Sequence, residues 1–209
     1  MSDDQMKVDE TKPPRTFGKK VVEFITAMVI SLAVVLPIRY FLVQPFIVRG
    51  ASMEPNFSDR EYLIIDELSY RLRNPGRGEV VVFRFPKNPT MCESVVPRLF
   101  DFSGTCKYLI KRVIGLPGER VEMQNGSIHI YSASSTDTFL LNEHEYFGQD
   151  APPTHPDGVF TLDTGEYFVL GDNRDFSSDS RFWGPLERRF IVGRTIFRVV
   201  PLSKFGMLD

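Results

Sequence analysis

Short runs of β-branched and aromatic residues, each bounded by turn residues, recur along the chain after residue 44. They are Tyr62–Ile65, Val80–Phe85, Tyr108–Ile114, Arg120–Met123, Ser127–Tyr131, Tyr167–Leu170 and Ile191–Val200. Runs of this kind read as strands. Asn125-Gly126 separates two of them, and that dipeptide favours a two-residue hairpin because such a turn needs φ above zero at both positions. No long helical pattern alternates with the runs, which excludes a doubly wound fold. The expectation is a mainly β domain of antiparallel sheets forming a partly open, barrel-like structure. Residues 87–106 and 132–158 are rich in Pro, Ser, Thr and Asp and read as loop-rich insertions.

The N-terminal part is of a different kind. Phe24–Ile38 is a stretch of fifteen uncharged, mostly apolar residues, short of the ~20 needed to cross about 30 Å of hydrocarbon. Extending it to residues 21–43 takes in only Glu23 and Arg39, both within reach of headgroups. Lys12, Arg15, Lys19 and Lys20 precede it, which places the N-terminus in the cytoplasm. Residues 1–20 then read as a disordered cytoplasmic tail, 21–43 as one N-terminal transmembrane helix and 44–209 as an extracytoplasmic domain. A buried core helix is an alternative, though the segment has no polar face. A cleaved signal peptide is another. Against it, Arg39, Tyr40, Phe41 and Leu42 stand where small residues are expected, and Val48-Arg49-Gly50 comes late.

The 209 residues suit one domain with an appendage. With 25 Lys and Arg against 27 Asp and Glu, the net charge of −2 gives no electrostatic footprint for nucleic acid. Cys92 and Cys106 are too few for a disulfide scaffold and lack zinc-site spacing. In an oxidising compartment they could close a loop worth about 3 kcal/mol; two unpaired thiols are the alternative, and the sequence leaves both open. His129, His144 and His155 lack metal-ligand spacing, and His144-Glu145 lacks the second histidine of an HExxH site. No metal or cofactor is expected.

Three segments carry chemistry. Gly50-Ala51-Ser52-Met53-Glu54-Pro55 can present a hydroxyl and a backbone N–H from a turn of small residues, although such a stretch is more often a plain turn or cap. In Lys107–Glu119, a strand ending at Gly-Leu-Pro-Gly, alternation puts Leu109, Lys111 and Val113 on one face. A lysine on an apolar face either snorkels to water or is desolvated, and desolvation makes it a general base. Gly171–Gly184 packs charged and hydroxyl groups after a strand, and Trp183-Gly184 folds it back towards the core, with Asp and Arg available for ion pairs.

In this order, behind an N-terminal anchor, the three segments resemble the type I signal peptidases of the bacterial Ser-Lys kind. Gly78-Glu79-Val80-Val81-Val82-Phe83 resembles a further family segment. The likeness runs from about residue 43 to the end. Ser-Met-x-Pro is unspecific, whereas Lys-Arg-Val-Ile-Gly-Leu-Pro-Gly is specific and Gly-Asp-Asn-Arg-Asp-x-Ser-x-Asp-Ser-Arg highly so. The resemblance implies a serine endopeptidase of the plasma membrane that removes signal peptides from exported preproteins at the outer face, after small residues of Ala-X-Ala type. Ser52 would be the nucleophile and Lys111 the general base, acting through an acyl-enzyme that water clears. An amine can act so only when neutral, and against a reference pKa of about 10.4 that demands burial, which Ile110 and Val113 could supply.

By the same resemblance, Ser177 would orient the lysine, and Asp179, Arg181 and Arg112 would brace the site. Phe46, Val48, Met53, Phe57 and Ile110 match pocket-lining positions, with core or membrane-proximal packing as the alternative for each. Some members carry an oxyanion-donating serine where this chain has Gly50, so the Ser52 N–H, a water or another group must stand in. The implied partners are preprotein signal peptides, the lipid bilayer and the secretion translocase. Other readings are a soluble Ser-Lys autoprotease of the repressor type, against which residues 21–43 speak, a pilus or conjugation maturation peptidase, and a catalytically silent anchored domain that binds signal peptides.

Overall fold

The computed structural model describes residues 17–41, 43–85, 108–132 and 138–208. The insertion expected at 87–106, with Cys92 and Cys106, lies outside them. The chain divides into two compact units, one up to Ile38 and the other from Arg39.

Helix α1 (Phe17–Phe41) has 25 residues, about 38 Å of axis at 1.5 Å per residue. It begins inside the stretch read as tail: Pro13 and Pro14 stand ahead of it, and no proline follows until Pro37. Its described side chains, from Gly18 to Leu36, are exposed all round the helix, among them Val22, Phe24 and Ile30. Among the described residues no helix is long and apolar enough to cross a membrane; Lys19, Lys20 and Glu23 fall within α1.

The second unit is built from antiparallel strands: β1 (Val43–Ile47), β2 (Tyr62–Asp66), β3 (Val80–Arg84), β4 (Tyr108–Gly115), β5 (Arg120–Gln124), β6 (Ser127–Tyr131), β7 (Thr138–Leu140), β8 (Gly158–Thr161), β9 (Glu166–Leu170), β10 (Leu186–Glu187), β11 (Ile191–Val200) and β12 (Gly206–Met207). The larger sheet runs β1-β2-β11-β3-β4-β9-β10, with β12 on β11, and the smaller runs β7-β6-β5-β8. Among the described residues neither strand order returns to its start, so both sheets are open there. Each run singled out in the sequence lies on a strand, with Phe85 alone falling one residue past the end of β3, because β-branched and aromatic side chains fill the two faces of a pleated sheet.

The stretch 132–158 is less irregular than its composition suggests. It holds β7 and a one-turn helix, His144–Phe147. The side chains of β7 are exposed, so no apolar alternation marks it. Val43, counted in the sequence as the last anchor residue, opens β1.

Two glycine-dependent features place the sheets. Gln124 pairs with Ser127 across the hairpin, and φ is 51° at Asn125 and 82° at Gly126, the left-handed pair that a tight turn needs. At the end of β4, Gly115 lets the sheets close on each other. A Cβ there would lie 2.5 Å from Val121 Cγ2, 2.8 Å from Leu162 Cδ1 and 2.9 Å from Phe168 Cβ. These neighbours belong to the core of Ile114, Val121, Met123, Ile128, Ile130 and Leu170 beneath the smaller sheet. Gly115→Ala should therefore destabilise the folded protein by about 1–3 kcal/mol through overpacking, read as a lower midpoint in urea denaturation.

Candidate active site

Ser52 stands in the turn that follows β1, held by its neighbours on both sides. Met53 and Phe57 are buried in a cluster with Val48, Leu63, Ile65, Val80, Val82 and Ile110, against which Phe46 packs half-buried. Gly50 sits at φ 86° and donates its N–H to Asp59 Oδ1 at 2.8 Å. Glu54 N–H donates back to Ala51 O at 3.2 Å, and Phe57 N–H to Met53 O at 2.8 Å. The apolar residues after Ser52 thus nail the turn to the core while Ser52 itself stays half-exposed.

Lys111 lies in the middle of β4, paired across to Val81 of β3. Leu109 and Val113, two residues to either side, pack with Val81 and Phe83 in a second cluster. Only 2% of Lys111 is exposed. Its Nζ donates to Ser52 Oγ at 2.8 Å and to the carbonyl O of Ile110 at 2.8 Å. Side chains 59 positions apart in sequence meet here. Burial pulls the amine down from the ordinary 10.5 to about 8; the carboxylates of Asp179 and Asp172 oppose the shift, and the Arg181 guanidinium adds to it.

The wall beside the pair is the loop that leaves β9. A Cβ at Gly171 would lie 2.1 Å from Ser177 Oγ and 2.5 Å from the carbonyl O of Ser52. Only a glycine lets the three segments approach so closely. Ser177 is buried, and its Oγ has no hydrogen-bond partner among the described residues; it lies beside Ser52 without bonding Lys111.

Every buried charge around this wall is paired. Arg112 grips Asp172 bidentately, Nε to Oδ1 at 2.8 Å and Nη2 to Oδ2 at 2.6 Å, and donates to Gly78 O at 2.8 Å. Arg181 grips Asp179 through Nε at 2.8 Å and Nη2 at 2.9 Å, and donates to His155 O and Arg174 O. Asp179 also accepts from Gly171 N–H at 3.0 Å. Arg174 is buried against Glu143 and Thr154, which ties the 141–158 segment to the loop.

Of the residues expected from sequence, Ser52, Lys111 and Ser177 come together, and Arg112, Asp179 and Arg181 surround them. The expected pocket residues Phe46, Val48, Met53, Phe57 and Ile110 fall in one apolar cluster beneath the turn. Asp172, Arg174 and Asn173 were visible only as members of a charged segment. Their partners, Arg112, Glu143 and Ala51, lie too far away in sequence for spacing to reveal them. A cavity of about 470 Å³ opens beside Asn56, Arg112 and Arg198, and neither Ser52 nor Lys111 lines it. The arrangement is that of a hydroxyl against an amine held in a low-dielectric wall.

The family described as signal peptidase, peptidase S26, matches residues 21–200. A probable signal peptidase I-2 of Synechocystis is 33% identical over 202 residues, covering 97% of this chain and 82% of that protein. Signal peptidase IB of Staphylococcus aureus is 29% identical over 197 residues, covering 90% of this chain and 93% of the other. A crystal structure of a signal peptidase I from Enterococcus faecalis V583 aligns over 58% of this chain and 97% of its own, at 26% identity and a TM-score of 0.41.

Burial of Lys111 is linked to stability. Between about pH 8 and 10.5 the unfolded amine is protonated while the folded one is not, so this group's contribution to stability rises with pH across that window. Relative to Lys111→Met, the wild type should gain up to about 3 kcal/mol between those limits, and nothing below them. Urea titrations of both proteins at stepped pH measure it; a difference that stays flat to pH 10.5 contradicts a depressed amine.

Proposed function

The chain belongs to the signal peptidase I family, peptidase S26, whose members cleave signal peptides, and on that footing we propose that it does so through a Ser52–Lys111 dyad from a membrane anchor. The observation that carries this reading is the 2.8 Å contact between Nζ and Oγ on an amine that burial holds at about 8. The neutral amine donates to Ile110 O and turns its lone pair to the Ser52 hydroxyl, which donates to it. As Oγ attacks the scissile carbonyl, its proton passes to Nζ; the resulting ammonium then protonates the leaving amine, and an acyl-enzyme remains. Water, deprotonated by the same amine, clears the ester. With a pKa of about 8, roughly a tenth of the lysines are neutral at pH 7 and half at pH 8.

Ser52 N–H faces the developing oxyanion as its backbone donor. Ser177 lies across Gly171 from the Ser52 carbonyl, while Asp179, Arg181, Arg112 and Asp172 hold the wall. The substrate is an extended preprotein segment with small residues at −1 and −3. Strand β4 is bonded to β3 from Tyr108 to Arg112, and to β9 only from Arg112 onward. Among the described residues, the β9 side of Leu109–Lys111 is therefore open to an added strand. Phe46, with Ile110 and the cluster beneath it, offers the apolar floor on which small side chains fit.

Helix α1 supplies the anchor in this reading. Apolar side chains exposed all round a helix suit lipid rather than water, and the charges flanking Phe24–Ile38 reach the headgroups. The lysines before it keep the N-terminus cytoplasmic, so residues 44–209 work outside, where preproteins leave the translocase.

The test uses the full chain in detergent micelles with an Ala-X-Ala signal peptide and maps the products by mass. Cleavage after the small residue is expected, with Ser52→Ala inactive and Lys111→Arg reduced by 10³-fold or more, about the scale of losing a triad member. Below saturation the rate should climb with pH through a midpoint near 8. Wild-type turnover in Lys111→Arg, or a profile flat from about pH 6 to 9, would falsify the dyad; binding without cleavage points to a silent member instead.

A further inference from the structure

Asn173, on the loop facing the Gly50-Ala51-Ser52 turn, holds that turn twice. Its N–H donates to the carbonyl O of Ser52 at 3.1 Å, and its side-chain Nδ2 donates to the carbonyl O of Ala51 at 3.1 Å. Those carbonyls belong to the peptide planes on either side of the Ser52 Cα. A trans peptide is rigid and planar, so the Ala51 C=O and the Ser52 N–H point in opposite directions within one unit. Fixing the carbonyl, which also accepts from Glu54 N–H at 3.2 Å within the turn, therefore aims the N–H. The turn has little else to offer an oxyanion: Gly50 carries no hydroxyl, and its N–H is spent on Asp59.

We infer that Asn173 is a positioning residue, whose side chain acts through the Ala51 carbonyl to aim the Ser52 N–H at the oxyanion formed when Ser52 attacks. This rests on Ser52 being the nucleophile, as proposed above. The main-chain bond to Ser52 O is open to nearly any residue at position 173, whereas the bond to Ala51 O needs the amide. Asn173 bonds neither Ser52 Oγ nor Lys111 Nζ, so its loss leaves the amine's titration in place.

The test compares wild type with Asn173→Ala and with the near-isosteric Asn173→Asp, which cannot donate from that atom when ionised. All are full-length chains in detergent micelles, assayed on one Ala-X-Ala signal peptide. Affinity is also measured for a peptide aldehyde ending at the cleavage site and for its reduced alcohol. The aldehyde forms a Ser52 Oγ–C bond, its carbonyl oxygen becomes the oxyanion and the serine proton passes to Lys111; the alcohol has no carbonyl to attack. In both variants kcat should fall about 10- to 100-fold, somewhat less than removing an oxyanion donor outright, with KM changed less than about two-fold. Aldehyde affinity should fall by a similar factor, alcohol affinity should hold, and the pH midpoint should stay near that of the wild type.

Turnover of the Asp variant within about two-fold of wild type overturns the inference. So does equal weakening of aldehyde and alcohol, which is the mark of a merely structural clip. If the Ala variant loses the wild-type melting temperature, the Asp variant decides; if both lose it, Asn173 is structural and the inference falls. A wild type that does not cleave, or a Ser52→Ala chain that does, overturns the nucleophile itself. With an active, Ser52-dependent wild type, the Asn173 results bear on the inference alone.

Discussion

An amine with 2% of its surface exposed, lying among two carboxylates, is the constraint around which this domain is arranged. Desolvation alone drives such a group towards neutrality, while nearby anions drive it back to its charged form. The net shift at Lys111 is downward, to about 8, with desolvation the largest cause and each carboxylate already engaged by an arginine. Arg112 takes both oxygens of Asp172, and Arg181 both of Asp179. The Arg181 guanidinium thus adds to the downward shift of the lysine without touching it. Removing either arginine would leave a buried anion facing the amine, and that anion would find its counter-charge there.

The same pairs hold the geometry. Asp179 accepts from Gly171 N–H and from the arginine at once, which fixes the loop that borders Ser52. Gly171 turns that fixation into contact, since nothing larger fits between Ser177 Oγ and the carbonyl of Ser52. Arg174 extends the brace outward to Glu143 and Thr154, so the segment carrying the smaller sheet's edge is coupled to the wall beside Ser52 and Lys111. Buried arginines suit this role because their planar donors saturate carboxylates and carbonyls together.

The sequence disclosed the strands where side chains face a core. β3, β4, β9 and β11 are dense in Val, Ile and Phe, and Asn125-Gly126 marked its hairpin by the left-handed backbone it requires. It did not disclose β1, which carries Pro45 on the sheet's edge and merges with an apolar run, β7, whose exposed residues have no pattern to show, or the four-residue edge strand β8, where Val159 is exposed. β10 and β12 have two residues each, below what any periodicity can register. At the site, residue types and order pointed to Ser52, Lys111 and Ser177 through a family likeness. The physics of composition alone offered only a lysine on an apolar strand face. Pairings such as Arg112 with Asp172, or Asn173 with Ala51, depend on which strand ends the fold brings together, and local sequence carries no trace of that. Ser177, which the likeness assigned to orienting the lysine, lies across Gly171 from the Ser52 carbonyl, and its hydroxyl bonds no described group.

The backbone at Gly50 also bears on how this enzyme could change over time. A side chain there would meet open space, with nothing within 4 Å, but φ of 86° is a conformation that L-residues enter only under strain. A single codon change to serine would install a hydroxyl at that position together with about 1–2 kcal/mol of backbone penalty, on a turn whose N–H is tied to Asp59. Gaining a hydroxyl at this position thus trades against the backbone that now shapes the turn, a cost set by φ and not by space.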